Sequence, residues 1–219
     1  MQGSKLEGSM LRWVGLVVLV PFAVLTGVAI SVDGSSGFSN AITLNLLSFQ
    51  IWLDLVIAML FWAAWLLVDA KAHGRWPWVW LIAAFAFGAF VPLLYMILYQ
   101  RWPATPGVSA STAGSARARQ VLGGVLLVVL GAVTVAGLLV DGTDVFGTVT
   151  YSWSNIQIWV DLVVVILLWI PWMLRDARAH GQNPWGWVVF AIALGSFAPL
   201  AYLTLYGRWP ASHPVAQDA

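Results

Sequence analysis

The chain has 219 residues and a formal net charge of +1, and 61% of its residues are hydrophobic while only 9% are charged. An ordinary soluble domain carries about 25% charged residues, so this composition predicts a protein that is integral to a membrane. The near balance of basic and acidic residues argues against a nucleic-acid partner, and the lack of cysteine excludes disulfides and thiolate chemistry.

The chain divides into two similar units of apolar runs. Residues 1–9 are expected to be an added tail ahead of Met10, outside the fold. Each run is about as long as the roughly 20 residues that cross a bilayer as a helix. The first unit, 10–102, has runs at about 12–32, 47–68 and 77–99. A flexible linker is predicted at 103–118, followed by the second unit, 119–211, with runs at about 120–140, 153–174 and 184–206, and a C-terminal tail at 212–219.

The second unit repeats the sequence of the first. Gln50–Leu55 returns as Gln157–Leu162 with one substitution, and Asp69–Gly74 returns as Asp176–Gly181. About 30 of about 55 aligned positions are identical, far above chance for two unrelated apolar segments. The predicted fold class is therefore all-α: a polytopic membrane protein with six transmembrane helices, built as two three-helix repeats.

An odd number of spans in each repeat predicts inverted topology, because the second copy then enters the membrane from the opposite side. Basic residues accumulate on the cytoplasmic side and should give the orientation. In a six-span arrangement they divide five against five. One side has Lys5, Arg12, Lys71, Arg75 and Arg208, and the other has Arg101, Arg117, Arg119, Arg175 and Arg178. The alternative is a half in which one run does not span.

Polar side chains inside the apolar runs are the first candidates for a ligand site, since intramembrane acids are costly and often functional. At helical spacing the second run of each unit has one polar and aromatic face, expected towards the bundle interior. Asp54 and Asp161 could meet there as a ligand-binding pair, or each could simply bond a neighbouring helix. The candidate ligand-binding residues are Asp54, Asp161, Gln50, Gln157, Trp62, Trp169, Tyr95 and Tyr202.

The third run of each unit has small residues, a proline and tyrosines at helical spacing. Small residues let helices approach closely, and a proline kinks the axis and frees a carbonyl. Packing explains the small residues, while Tyr95 and Tyr202 could line a cavity between the units. The predicted packing and kink residues are Ala84, Gly88, Pro92, Ala191, Gly195 and Pro199.

The connections at 69–75 and 176–181 contain acidic, basic and histidine residues, and they are interpreted as solvated helix ends. Inverted topology would put His73 and His180 on opposite faces, so no shared metal or haem site is predicted. The sequence contains no His-Glu-x-x-His motif, phosphate loop or nucleophile elbow, which argues against hydrolytic and nucleotide-driven mechanisms.

The repeated pattern resembles an uncharacterised bacterial three-span membrane family, a domain of unknown function, over nearly all of both units. A second set of residues looks like the membrane family needed for neoxanthin formation in plants. These residues are Asp161-Leu162, Trp169, Trp172, Asp176-Ala177 and Gly195 with Tyr202. The second resemblance implies a carotenoid or isoprenoid context. The duplicated three-span organisation of some lycopene cyclases implies the same, but their glutamate-rich motif is absent, since the chain has one glutamate, Glu7.

Three functions follow as hypotheses. The first is binding or transport of a small molecule or ion between inverted repeats, with proton coupling through the two aspartates. The second is an enzyme or binding protein for an isoprenoid or carotenoid lipid, and the third is a structural or assembly subunit. No cofactor is predicted beyond a bound lipid or carotenoid. The expected partners are the bilayer and the ligand, a homo-oligomer is left open, and the expected location is a bacterial plasma membrane.

Overall fold

A computed structural model describes residues 2–101 and 116–208, and every regular element in these ranges is a helix. The first half contains α1 (Gln2–Asp33), α2 (Gly37–Thr43), α3 (Leu46–Ala72), α4 (Pro77–Phe87) and α5 (Phe90–Tyr99). The second half contains α6 (Ala116–Val140), α7 (Val145–Val149), α8 (Trp153–Ala179), α9 (Pro184–Leu194) and α10 (Phe197–Tyr206).

Four helical stretches, one in each of α1, α3, α6 and α8, are long and apolar enough to cross a membrane. The predicted all-α class is therefore confirmed for the described residues, and the four long apolar helices support a protein that is integral to a membrane. The spanning stretches are Met10–Asp33, Leu46–Ala72, Arg117–Val140 and Trp153–Ala179.

The two central helices, α3 and α8, have 27 residues each and begin and end with the same kinds of signal. The side chains of Asn45 and Ser152 cap their first turns by accepting from the amides of Ser48 and Asn155. Each helix ends before a glycine with positive φ, Gly74 or Gly181, which is the usual way to satisfy the last carbonyls.

The third apolar run of each half does not cross the membrane as one helix. It is divided at Gly88 and Gly195 into helices of 11 and 10 residues, each about 15 Å long, roughly half the apolar core of a bilayer. The ring of Trp80, early in α4, lies 5.6 Å from that of Tyr99, the last residue of α5. The two helices are therefore antiparallel and form a hairpin. Trp187 and Tyr206 repeat this contact at 6.0 Å in α9 and α10.

These hairpins correct the prediction of six transmembrane helices. A helix that continued from Trp80 to Tyr99 would separate the two residues by about 28 Å. Hydropathy cannot distinguish a re-entrant hairpin from one continuous span, because two short apolar helices have the same composition as one long one. The alternative in which one run of each half fails to span is the one that the contacts support.

The predicted inverted arrangement of the halves is also wrong, because each half has two spans and the matching helices α3 and α8 run in the same direction. The Asn155 amide donates to Ser48 Oγ at 3.2 Å near the starts of α8 and α3, and the rings of Phe61 and Trp169 lie 5.7 Å apart further along. The contacts follow the same order along both helices, so α3 and α8 run parallel. With two spans and one hairpin in each half, the second half begins on the same side as the first.

The molecule therefore has two different ends. We call the end formed by residues 33–46 and 140–153 the loop end, because the connections between the long helices lie there. We call the opposite end, where α4 and α9 begin and α5 and α10 finish, the hairpin end. Around the central α3 and α8, α1 packs on α5 and α8, and α6 packs on α10 and α3.

The structure describes only parts of the predicted tails and linker. α1 begins at Gln2, so residues 2–9 continue its helix, and α6 begins at Ala116 within the predicted linker. Residues 103–115 and 212–219 lie outside the described residues.

Candidate functional site

The tips of the two hairpins are held by carboxylates from the opposite half. The first amides of α5 and α10 have no partner within their own helices, and an unsatisfied amide is costly inside a membrane. Asp161 Oδ1 accepts from the amide of Ala89 at 2.6 Å, and Asp54 Oδ1 accepts from the amide of Ser196 at 2.8 Å. The two predicted site acids thus bind reciprocal tips, and each bonds a neighbouring backbone rather than its matching carboxylate.

Each tip turns at a glycine that contacts the capping acid. Gly88 has φ 54° and Gly195 has φ 58°, a region that residues with a Cβ rarely adopt. A methyl group added at Gly88 would collide with the carboxylate of Asp161, and one at Gly195 would collide with that of Asp54. These predicted packing glycines therefore form turns around carboxylates.

A second reciprocal pair joins the halves at the loop end. Asp33, at the end of α1, accepts from the amide of Ser154 at 2.6 Å, and Asp141, after α6, accepts from the amide of Leu47 at 2.9 Å. Both amides belong to first turns, of α8 and α3. Four aspartates in all cap helix starts in the opposite half.

A cavity of about 510 Å³ lies beside the Asp54 cap. Its walls come from the first residues of α3, the last turns of α6, the middle of α8, α9 and the α9–α10 tip. Apolar side chains dominate the lining, and several of them, including Leu138, Leu167 and Ile192, are exposed on the outside of the helices. Because those outer faces contact lipid in a membrane, the cavity opens sideways towards the bilayer.

The polar side chains of the cavity are few. Gln50 and Asp54 lie one helical turn apart on α3, and within the described ranges the Gln50 side chain makes no hydrogen bond. Thr134 also lines the cavity, but its hydroxyl donates to the carbonyl of Leu130 at 2.8 Å. Trp159 contributes a large half-exposed ring. The site has apolar walls and one polar patch able to accept hydrogen bonds.

The structure brings only some of the predicted ligand-binding residues to this cavity. Gln50 and Asp54 line it, together with Ala191 and Gly195 from the predicted packing set. Their counterparts in the other half do not. Trp62 and Trp169 are each 1% exposed and fill the core around α3 and α8, and Gln157 is also buried.

Tyr95 lies in a buried ionic cluster at the hairpin end. Its hydroxyl donates to Asp69 Oδ2 at 2.7 Å, and Arg75 Nη1 donates to the Tyr95 oxygen at 2.9 Å. Arg101 Nε approaches Asp69 Oδ1 at 2.5 Å, while the Arg75 guanidinium lies 3.7 Å from the centre of the Tyr99 ring. These contacts fasten the base of the first hairpin to α3.

Tyr202 has the equivalent place in the second half. Its hydroxyl donates to Asp176, which is 0% exposed, and Arg208 Nε lies 3.4 Å from the same carboxylate. Gln182 stands where Arg75 stands in the first half, with its amide oxygen 3.4 Å from the Tyr202 hydroxyl. Both tyrosines therefore bind the hairpin to its own long helix, and neither lines the cavity.

The remaining predicted residues have structural places. Ala84, like Ala191, is buried where its hairpin packs, and Pro92 and Pro199 are the third residues of α5 and α10. A proline in the first turn of a helix replaces an amide that would lack a partner anyway, so neither proline kinks a continuous helix.

His73 and His180 lie near the ends of the parallel helices α3 and α8, so their predicted placement on opposite faces is also corrected. Each ring Nδ1 lies 2.7 Å from the backbone carbonyl of the aspartate four residues earlier. Within the described part of the chain, no three histidine, aspartate or glutamate side chains come together as metal ligands.

Several lining residues were not predicted. Thr134, Trp159 and Ile192 are ordinary residues of apolar helices, and nothing in their local sequence indicates a cavity. Ser196, whose amide donates to Asp54 but which does not line the cavity, had a usable signal, since a serine shortly before a proline in an apolar run is typical of a helix start. Comparisons with family models, curated proteins and solved structures found no match for the chain.

Proposed function

We propose that the protein binds an amphipathic lipid in the cavity between α3, α6, α8 and α9. The observation that carries this proposal is a lining of apolar side chains, open towards the bilayer, around a single polar patch of Gln50 and Asp54. Such a lining matches a molecule with an apolar chain and a small polar head. The volume, about 510 Å³, falls within the usual range for ligand pockets.

An isoprenoid is the chain type that we favour. The walls are branched aliphatic side chains with the rings of Trp159 and Phe197, and a branched unsaturated chain packs well on such a surface. The resemblance to the family needed for neoxanthin formation points to the same class of lipid. A bound carotenoid or isoprenoid would reach the cavity from within the bilayer.

Proton-coupled transport, the first hypothesis from the sequence, loses part of its support. It requires carboxylates that are free to exchange protons at an interface between inverted halves. Asp54 and Asp161 instead cap helix starts, and the halves run parallel. We therefore propose binding without assigning a transport cycle.

A structural or assembly role is the second candidate. It is favoured by the four aspartates that cap helix starts across the two halves, because all of them have a role in holding the fold. In that case the cavity would hold only bulk membrane lipid.

A filled cavity separates the two candidates. Val163 lines the cavity, whereas Val56, at the matching place on α3, does not. The test is photolabelling of the purified protein by a long-chain isoprenoid that carries a photoreactive group. Val163→Phe is expected to reduce labelling at least about tenfold, because the larger side chain fills part of the cavity. A loss of about 1.4 kcal/mol in the binding free energy of the probe is enough for a tenfold effect.

Val56→Phe is the matched control, since it adds the same side chain on the equivalent helix away from the cavity. It should label like the unmodified protein. Equal labelling of both variants, or labelling no greater than that by an ordinary phospholipid probe, would contradict lipid binding at this site and favour the structural role.

A further inference from the structure

The distribution of charge gives the protein an orientation. By position along the chain, all ten basic residues belong to the hairpin end: Lys5, Arg12, Lys71, Arg75, Arg101, Arg117, Arg119, Arg175, Arg178 and Arg208. The loop-end connections, 34–45 and 141–152, contain none. Because lysine and arginine accumulate on the cytoplasmic side of membrane proteins, the hairpin end faces the cytoplasm and the loop end faces away from it.

The cavity lies in the half of the molecule near the loop end. Its α3 residues, Leu47 to Asp54, are the second to ninth of that helix, within about 12 Å of its start. Its α6 residues, Thr134 and Leu138, are in the last two turns, and Val145 belongs to the loop end itself. The cavity therefore opens at the depth of the non-cytoplasmic leaflet.

The polar patch selects among head groups. None of the residues that line the cavity is basic, so a phosphate or carboxylate head would be buried there without a charged partner. The Gln50 amide can both accept and donate, whereas the Asp54 carboxylate only accepts, so a head that donates a hydrogen bond can be bound by both residues.

A cationic head is disfavoured by the partner that Asp54 already has. The carboxylate accepts from the Ser196 amide at the start of α10, where the helix dipole is positive. Its charge is thus compensated within the protein, and burying an added ammonium group beside it would cost more than burying a hydroxyl.

We infer that the cavity takes a lipid with an uncharged, hydrogen-bond-donating head, such as a long-chain isoprenoid alcohol, from the non-cytoplasmic leaflet. This inference rests on the proposed lipid binding and adds its head-group class and its side of the membrane.

The head group is tested with three photoreactive probes that share one isoprenoid chain and end in an alcohol, a monophosphate or an amine. The alcohol is expected to label the protein at least tenfold more than either charged probe. Gln50→Leu should reduce alcohol labelling, while the matched Gln157→Leu, outside the cavity, should not. Equal labelling by a charged probe, or a Gln50→Leu protein that labels normally, would overturn the head-group assignment.

The side of the membrane is tested with single cysteines, since the chain has none of its own. A membrane-impermeant maleimide added to intact cells should label Ser35→Cys and Thr143→Cys, and label Ala72→Cys and Ala179→Cys only after the membrane is opened. All four positions are exposed. The reverse pattern would overturn the assignment of the leaflet. Failure of all three lipid probes to label would instead overturn the proposed function, whatever the cysteines show.

Discussion

The α1–α5 half and the α6–α10 half repeat the same contacts, but they differ around one hairpin tip. In the first half, Phe22 of α1 stacks on Phe90 at 4.4 Å between ring centres. In the second half Leu130 is the counterpart of Phe22. The Thr134 hydroxyl donates to the Leu130 carbonyl just as the Thr26 hydroxyl donates to the Phe22 carbonyl. Phe197, the counterpart of Phe90, lines the cavity instead. The shared contacts form the framework, and the differences mark where a ligand fits.

The two ionic clusters at the hairpin end also share some contacts and differ in one residue. Asp69 is approached by both Arg75 and Arg101, whereas Gln182 has the place of Arg75 beside Tyr202. The aspartate, the tyrosine and the arginine after the hairpin are kept in both halves. Those three groups are thus the part of the cluster that fastens a hairpin to its long helix.

The largest effect is expected from adding a methyl group at the turns. Gly88→Ala and Gly195→Ala combine an unfavourable φ with a collision against a carboxylate, and each should lower the free energy of unfolding by about 2–4 kcal/mol. Thermal or denaturant unfolding in detergent measures the loss.

Gly186→Ala is the control for these variants. Gly186 lies in α9 with open space around it, so alanine there should stabilise the helix by about 0.5–1 kcal/mol. If either tip glycine tolerates alanine as well as Gly186 does, that hairpin does not turn at a glycine of positive φ packed against a carboxylate. A loss at one tip alone would show that the halves differ in more than the cavity.

A smaller effect is expected from removing the caps. Asp161→Ala leaves the amide of Ala89 without its acceptor and should cost about 1–3 kcal/mol. Asp54→Ala leaves the amide of Ser196 without its acceptor and should cost a similar amount, because the bond from the Ser196 hydroxyl to the Asp54 backbone carbonyl is the same before and after the substitution. Unfolding in the same detergent compares the two variants directly.

The smallest effect belongs to the asparagine variants. Asp54→Asn and Asp161→Asn keep an oxygen that accepts from the tip amide, so each should retain most of the stability that alanine loses. Asparagine variants that unfold as readily as the alanine variants would show that the negative charge itself is needed. In that case each aspartate would have to cap its tip as an anion, which leaves less room for proton exchange at these positions.

The long helices could be predicted from the sequence because composition and length decide them. The break at Gly88 was harder, since apolar residues continue on both sides and the whole run is long enough for one span. Two signals were present. Pro92 is placed as in a first helical turn, and a division of basic residues into five against five is what a wrong topology produces when all of them belong to one side.

The candidate site was partly predictable. Gln50 and Asp54, predicted as a polar pair on the inner face of α3, line the cavity, whereas Gln157 and Asp161, predicted by the same reasoning, lie outside it. What separates the pairs is the packing of α1 and α6 around each tip, including the exchange of Phe22 for Leu130. A repeat detected by identity conceals such a difference, because the matched residues are the ones that do not differ.

Chemical cross-linking between the two arms of a hairpin tests the fold most directly. With cysteines introduced by Trp80→Cys and Tyr99→Cys, a short bifunctional thiol reagent should join the positions within one chain in the membrane, because the native rings lie 5.6 Å apart. Trp187→Cys with Tyr206→Cys should behave alike. If both cysteines of each pair react with a small thiol reagent and no cross-link forms, the third run is a continuous helix, and the re-entrant hairpins are wrong.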